Sequence, residues 1–413
     1  MYSEGNLYMR DTLKRQFTPT EEAIILLLSA SLFGARHQEL PDIQPDQLFE
    51  EAEKQSVFPQ VYQALSQQDA RAVEQKWTDR FHRHIAHNVN IIYQHFQAHE
   101  LMTEAGIPYS VMKGCASAYY YAEPELRTMG DVDLFVEQSS MEAVRAHLCE
   151  NGFSVSGLHH SHHWTFTRDD EVYEVHWTPS GVPVEDHRHI RAQFDDLLQK
   201  RRLVEFQDGA LYLPDECHHG LILLLHTANH LSAGGIGLRH LMDWLVFVNS
   251  MPEELFVEKF DGVLRQLGLW QFVKVLTAVG THYFSCPPRA FCADISPELS
   301  GSILLDIFSG GNFGVKDSGR LMESKLLRDE QTREIDEKGR VRHIVRFLNR
   351  KARLALPASD KHPILLPVGW MIVGRKHFRH KSRTKEKSVS LFRVAKSAKE
   401  REKLYKQLRL FED

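Results

Sequence analysis

The sequence predicts an α+β protein, and three observations carry that prediction. A run of short alternating strands and tight turns occupies the middle of the chain, long helical periodicities lie on both sides of it, and the composition supports a sizeable core. The 413 residues suffice for two or three domains, with 42% hydrophobic and 25% charged residues. Wholesale disorder and fibrous repeats are excluded. The formal net charge of −5 gives no whole-molecule attraction for nucleic acid. The longest apolar stretch, Ala23 to Phe33, is well short of the roughly 20 residues that span a bilayer. Charged residues of both signs precede it, so it does not read as a secretory signal. Five scattered cysteines with no CxxC pair fit reduced thiols, and a cytoplasmic location is expected.

Along the chain, residues 1–106 read as helical. Thr18-Pro19-Thr20-Glu21 is a capping box with proline at the first helical position, followed by an apolar stripe at Ile24, Ile25, Leu27 and Leu28. A long helix is expected from about Ala70 to Ala105, with Trp77, Phe81, Ile85, Val89, Ile92 and Phe96 on its apolar side and His82, Arg83, His87 and Gln94 on a solvated one. Residues 107–213 form the mixed-sheet module. Its expected elements are a strand at Tyr109–Lys113, a helical turn at Gly114–Tyr121, a strand at Asp131–Val136, and a helix capped by Ser139-x-x-Glu142. Two strands joined at Asp169-Asp170 and a hairpin at Asp208-Gly209 complete it. Residues 214–370 are helical again, with helices at Glu216–Leu231 and Leu238–Asn249 and a longer one near Glu254–Val279. From Arg375 onward, fourteen Lys/Arg stand against five Asp/Glu. This basic tail, 371–413, reads as a solvated amphipathic helix, as a contact for an anionic partner such as nucleic acid or a membrane surface, or as a frayed end.

The chemistry concentrates in Gly130-Asp131-Val132-Asp133. Alternation places Asp131 and Asp133 on one face of a strand while Val132, Leu134 and Val136 face the core. Adjacent carboxylates raise each other's pKa unless a cation lies between them, and all-oxygen ligands of this kind suit Mg²⁺ or Mn²⁺. Upstream, Lys113-Gly114-Cys115 puts a glycine where a strand turns into a helix, with free N–H groups and a lysine to receive phosphate. Downstream, Glu174 and His176 share a face opposite Tyr173, Val175 and Trp177, so that Glu174 is available as a third carboxylate.

These segments resemble the polymerase-beta-like nucleotidyltransferases, specifically an uncharacterised bacterial family of the minimal type. The motifs that carry the resemblance are Lys113-Gly114, Arg127-Thr128-Met129-Gly130-Asp131-Val132-Asp133 and Glu174-Val175-His176-Trp177, with weaker likeness at His226, Leu238–Asp243 and Leu365-Leu366-Pro367. The resemblance implies a polymerase-beta-like module flanked by helical regions. It also implies that Asp131, Asp133 and Glu174 are catalytic and hold two divalent ions. A nucleoside triphosphate, ATP in the first instance, would give its nucleoside monophosphate to a hydroxyl of an unknown acceptor: a small molecule, a sugar or a protein. Lys113, Gly114, Cys115 and Ser117 would cradle the triphosphate, Arg127 would neutralise its charge, and Gly130 and His176 would line the site. Two departures stand out. The usual Gly-Ser turn is Gly114-Cys115, which leaves Ser117 as the nearest hydroxyl, and glutamate replaces the usual aspartate at position 174.

Other readings coexist with this one. The same scaffold can serve a regulatory or accessory protein that binds a nucleotide without turning it over, and a histidine-ligated metal hydrolase is a third class. His159, His160, His162 and His163 read as a polar loop or as substrate contacts, His226 and His230 as core packing, and Asp243 as a partner of Arg239 or His240 on its own helix.

Overall fold

The computed structural model describes residues 16–36, 38–69, 73–158, 162–179, 181, 188–316, 320, 401 and 403–411. Residues up to Arg320 and from Lys403 onward belong to one compact unit. Leu365-Leu366-Pro367, most of the basic tail, and His159 and His160 lie outside the described residues.

Helix α1 (Pro19–Phe33) starts at the expected capping box: the Glu21 N–H donates to Thr18 Oγ1 at 3.3 Å, and the Thr18 N–H donates to the Glu21 carboxylate at 2.9 Å. Gly34, in the left-handed region at φ 66°, ends it. All six residues from Ala23 to Leu28 are buried, so α1 is a core helix rather than one with a single apolar stripe. Two shorter helices follow, α2 (Pro45–Lys54) and α3 (Phe58–Gln68), each with a proline in its first turn.

Helix α4 spans Gln75–Glu104. Its buried side differs from the expected stripe at two points. Val89 is 50% exposed, while Gln94 is buried and its backbone carbonyl accepts the Tyr173 hydroxyl at 3.2 Å. Over 30 residues a straight helix drifts off any fixed stripe, and α4 passes from one set of neighbours to another along its length.

The module holds a mixed five-stranded sheet in the order β1-β2-β5-β4-β3. Strand β1 is Tyr109–Val111, β2 is Val132–Val136, β3 is Ser154–Ser156, β4 is His163–Arg168 and β5 is Glu171–His176. β2 runs parallel to β5, and every other neighbouring pair is antiparallel. Between β1 and β2 the expected helix is a single turn, α5 (Cys115–Ala118). Helix α6 (Met141–Glu150) lacks the expected Ser139 cap: Ser139 lies in a 3₁₀ turn and its hydroxyl reaches Glu137. Asp169, at φ 49°, makes the tight β4–β5 turn, a conformation aspartate tolerates better than most residues.

Two short helices, α7 (Arg188–Ala192) and α8 (Leu197–Lys200), precede the second hairpin, β6 (Arg202–Phe206) and β7 (Gly209–Leu213). Then come α9 (Glu216–Ala233), α10 (Leu238–Asn249), α11 (Glu253–Gln266), α12 (Trp270–Tyr283) and α13 (Pro297–Gly310). The single long helix expected over 254–279 is two helices, because Gly268 turns left-handed at φ 62° between them. Two apolar clusters result. One joins α1–α3 to α9–α13, and the other buries the sheet against the later half of α4, α6 and the β6–β7 hairpin. Each fully buried Leu, Ile or Phe in them contributes about 1.5–3 kcal/mol.

Candidate active site

The parallel pairing of β2 and β5 aligns Asp133 with Glu174 and Phe135 with His176, while Val132 and Leu134 align with Tyr173 and Val175. Period-two alternation then sends Asp133, Glu174 and His176 to one face and the apolar residues into the core, where Tyr173 and Val175 are fully buried. Glu174 is therefore turned toward the aspartates, as expected. His176 Nε2 is 3.1 Å from Asp133 Oδ1 and 3.3 Å from Glu174 Oε2. Carboxylates only accept, so Nε2 carries the proton. Lys113, two residues beyond β1, places Nζ 2.8 Å from Asp133 Oδ1.

These neighbours set the charge states. Burial works against the Asp133 carboxylate, but the Lys113 ammonium and the His176 hydrogen bond outweigh it and hold Asp133 below the usual carboxylate range. Burial likewise pulls His176 down, and its bonds to Asp133 and Glu174 reverse that and raise it. The bond from His176 lowers Glu174. Asp131 is pushed up to about 6, first by burial and then by the negative charge of Asp133. The site thus carries negative charge that Lys113 and His176 only partly offset. Asp131 is half-buried and Glu174 retains 29% of its side-chain exposure, so the acids are open to the exterior.

Gly114 sits at φ 56°, ψ −113°, and a Cβ there would lie 2.8 Å from His95 Nε2. Both the backbone conformation and the contact require glycine at this position. His95 is fully buried; its Nδ1 lies 2.8 Å from the Ile91 carbonyl, so Nδ1 carries the proton and the Nε2 lone pair points at the turn. Burial pushes His95 down to about 4 and keeps it neutral. Because α5 is one turn long, its dipole is small, and the turn's backbone amides with Lys113 are what it offers an anion. The Cys115 thiol is buried and its pKa raised by that burial. Ser117 is 2% exposed, with no hydrogen-bond partner for Oγ. Gly130 is exposed, with open space where a Cβ would stand.

Arg127 is placed differently from its expected role. It is 3% exposed and grips Asp243 bidentately, Nε to Oδ1 at 2.8 Å and Nη2 to Oδ2 at 2.7 Å, while the Tyr121 hydroxyl donates to Oδ1 at 2.8 Å. Asp243 therefore pairs with Arg127 and Tyr121, not with Arg239 or His240 on its own helix. One positioning residue escaped the sequence reading: Asn88, fully buried on α4, donates to the Glu125 carbonyl at 2.7 Å and accepts the Met129 N–H at 3.2 Å. It pins the loop that leads into Gly130-Asp131.

Among the described residues, Asp133, Glu174 and His176 are the one group of three potential metal ligands whose donor atoms lie within 4.8 Å of one another. Asp131 falls outside that tight group yet shares its field with Asp133 and Glu174. The carboxylate oxygens of Asp131, Asp133 and Glu174 suit a divalent ion such as Mg²⁺ or Mn²⁺, while His176 Nε2 would have to give up its proton to ligate. His163 lies beside His176, with the rings tilted by 33° and their centroids 4.8 Å apart. The rings of His226 and His230 are 4.4 Å apart and abut His240, consistent with packing.

The comparison of the chain with family models covers the segment that holds the Lys-Gly turn, Asp131, Asp133 and Glu174. The model described as uncharacterised nucleotidyltransferase matches residues 41–285, more than half of the chain. The chain belongs to this nucleotidyltransferase family. The family match runs from α2 through α12 and so covers the whole candidate site and the helices that face it. A search of the curated proteins found no match. Among the described residues, no helix is long and apolar enough to cross a membrane.

Proposed function

We propose that this nucleotidyltransferase uses divalent cations to move a nucleoside monophosphate from a triphosphate to a hydroxyl acceptor. The observation that carries the reading is the β2–β5 register, which faces Asp133 with Glu174 beside the Lys113-Gly114 turn. Asp131, Asp133 and Glu174 would hold the metal, with His176 at its edge. When bound, Mg²⁺ or Mn²⁺ would neutralise phosphate charge and lower the pKa of the acceptor hydroxyl.

The remaining work falls to the chain itself. Lys113 stands between the acids and the turn, placed to exchange its contact with Asp133 for a phosphate oxygen. Gly114 lets the backbone approach that phosphate without a side chain intervening. The acceptor oxygen forms a bond to the α-phosphorus, the bond from that phosphorus to the bridging oxygen breaks, pyrophosphate leaves, and the hydroxyl proton passes to solvent. Positioning and charge neutralisation account for most of the rate in such transfers.

The buried, unreactive Cys115 and the enclosed Ser117 favour a second reading, a regulatory or accessory protein that binds a nucleotide without transfer. Incubating the chain with α-labelled ATP, Mg²⁺ and cell extract distinguishes the two. Transfer predicts pyrophosphate release and label on an acceptor, and both vanish in the double variant Asp131→Asn, Asp133→Asn. Calorimetric binding of ATP without pyrophosphate supports the second reading, and a double variant as active as the parent contradicts the first.

A further inference from the structure

Arg127 is tied to Asp243 through Nε and Nη2 and keeps a buried Nη1 without a partner; the guanidinium whose charge acts on Asp131 is Arg239, in the first turn of α10. Among the described residues, Arg239 has no carboxylate within ion-pair distance. Its Nη1 donates to the Thr128 carbonyl at 3.3 Å, and its Nε is buried with no hydrogen-bond partner among the described residues. Both carboxylate oxygens of the nearby Asp243 are already taken by Arg127 and Tyr121. Thr128 lies three residues before Asp131, and the charge of Arg239 acts on Asp131. The space beside Gly130 is open. His240, next in the chain, is 4% exposed with both ring nitrogens unpartnered. Burial, together with the charges of Arg239 and Lys113, holds it neutral.

A guanidinium with spare donors, held against the loop that carries the metal aspartates, is matched to an oxyanion with several oxygens. We propose that Arg239, in place of Arg127, binds the triphosphate of the incoming nucleotide from the α10 side, opposite Lys113. The role rests on the nucleotidyl-transfer reading and makes it specific. Two cationic groups would hold the polyphosphate between the β1–α5 turn and α10, with Gly130 leaving the gap between them. Arg127 is then a structural clamp that fixes α10, and so Arg239, relative to the catalytic loop.

Binding of α,β-methylene-ATP, inorganic tripolyphosphate and AMP to the whole chain with Mg²⁺, measured by calorimetry, tests the assignment. Arg239→Gln is expected to weaken the first two by about 10- to 100-fold and AMP far less, with an unchanged thermal midpoint. Arg239→Lys keeps the charge and recovers part of the loss, which a merely structural role would not show; it also serves if the glutamine variant folds poorly. Arg127→Lys is expected to lower the thermal midpoint without that selectivity. Triphosphate affinity in Arg239→Gln equal to the parent's, or a selective loss in Arg127→Lys, overturns the assignment and leaves the transfer reading standing. A parent chain that binds neither polyphosphate ligand removes the transfer reading and this inference together.

Discussion

Two clusters of buried charge flank the loop 127–131, and they are balanced in opposite ways. Arg127 and Asp243 pair closely: two short bonds join them, Tyr121 takes up a remaining lone pair, and although burial raises Asp243, the charge and hydrogen bonds of Arg127 outweigh it and keep Asp243 an anion. Around Asp133, three acids face one lysine and one histidine, and burial together with the neighbouring negative charge raises the affinity of Asp131 for protons. A closed pair of this kind holds structure, whereas a cluster with unbalanced charge and an open side suits the cation proposed for it.

If that contrast is right, the two clusters respond oppositely to mutation. The double variant Asp131→Asn, Asp133→Asn is expected to lose pyrophosphate release by on the order of 1,000-fold or more while still unfolding cooperatively, because the amides keep acceptors for Lys113 and His176 and Glu174 remains as a counter-charge. Asp243→Ala leaves the Arg127 guanidinium buried alone, and urea unfolding should register a loss of about 3–5 kcal/mol. An Asp243→Ala protein as stable as the parent would merge the two clusters into one kind.

Smaller effects sharpen the picture. Gly114→Ala forces a side chain into the left-handed region and against His95, so about 1–3 kcal/mol of stability is expected to go, together with activity. Adding His95→Ala removes the clash and leaves the backbone strain, so only partial recovery is expected from the same urea titration.

His219 gives the mildest test and concerns packing alone. It is 1% exposed, stacked on Tyr120 at 5.0 Å, and burial pushes it down to about 3 from an ordinary value of 6.5. The unfolded chain takes up this proton as pH falls below 6.5 and the folded chain does not until about 3. Stability is therefore fully present above 6.5 and falls between those limits, by up to about 1.4 kcal/mol per pH unit from this group. Urea midpoints at pH 7 and pH 5 should differ less in His219→Leu than in the parent. Equal differences would mean that His219 protonates freely in the folded state.

Strand alternation is local, so counting alone pairs Asp131 with Asp133 and Glu174 with His176; that Asp133 and Glu174 stand side by side follows from the parallel β2–β5 register, which counting does not give. The Arg127–Asp243 pair is not legible locally, because its members are 116 residues apart and nothing near Arg127 in the sequence marks a carboxylate partner. For Asp243 the nearest cation in sequence, Arg239, was the natural guess, yet a contact across elements took precedence over one within a helix. Asn88 and His95 were invisible for the same reason: each lies on α4 and acts on a loop from a different part of the chain. The long helix expected over 254–279 failed on a single glycine, Gly268, whose left-handed turn breaks the backbone while apolar periodicity continues on both sides.

Manganese binding followed by electron paramagnetic resonance addresses the unbalanced cluster most directly, since it reads the cation itself and needs no knowledge of the acceptor. The parent chain should bind Mn²⁺, Mg²⁺ should compete for the same place, and Asp133→Asn and Glu174→Gln should each weaken binding sharply. Mn²⁺ uptake that is absent from the parent, or that survives both substitutions undiminished, would contradict a cation held between β2 and β5.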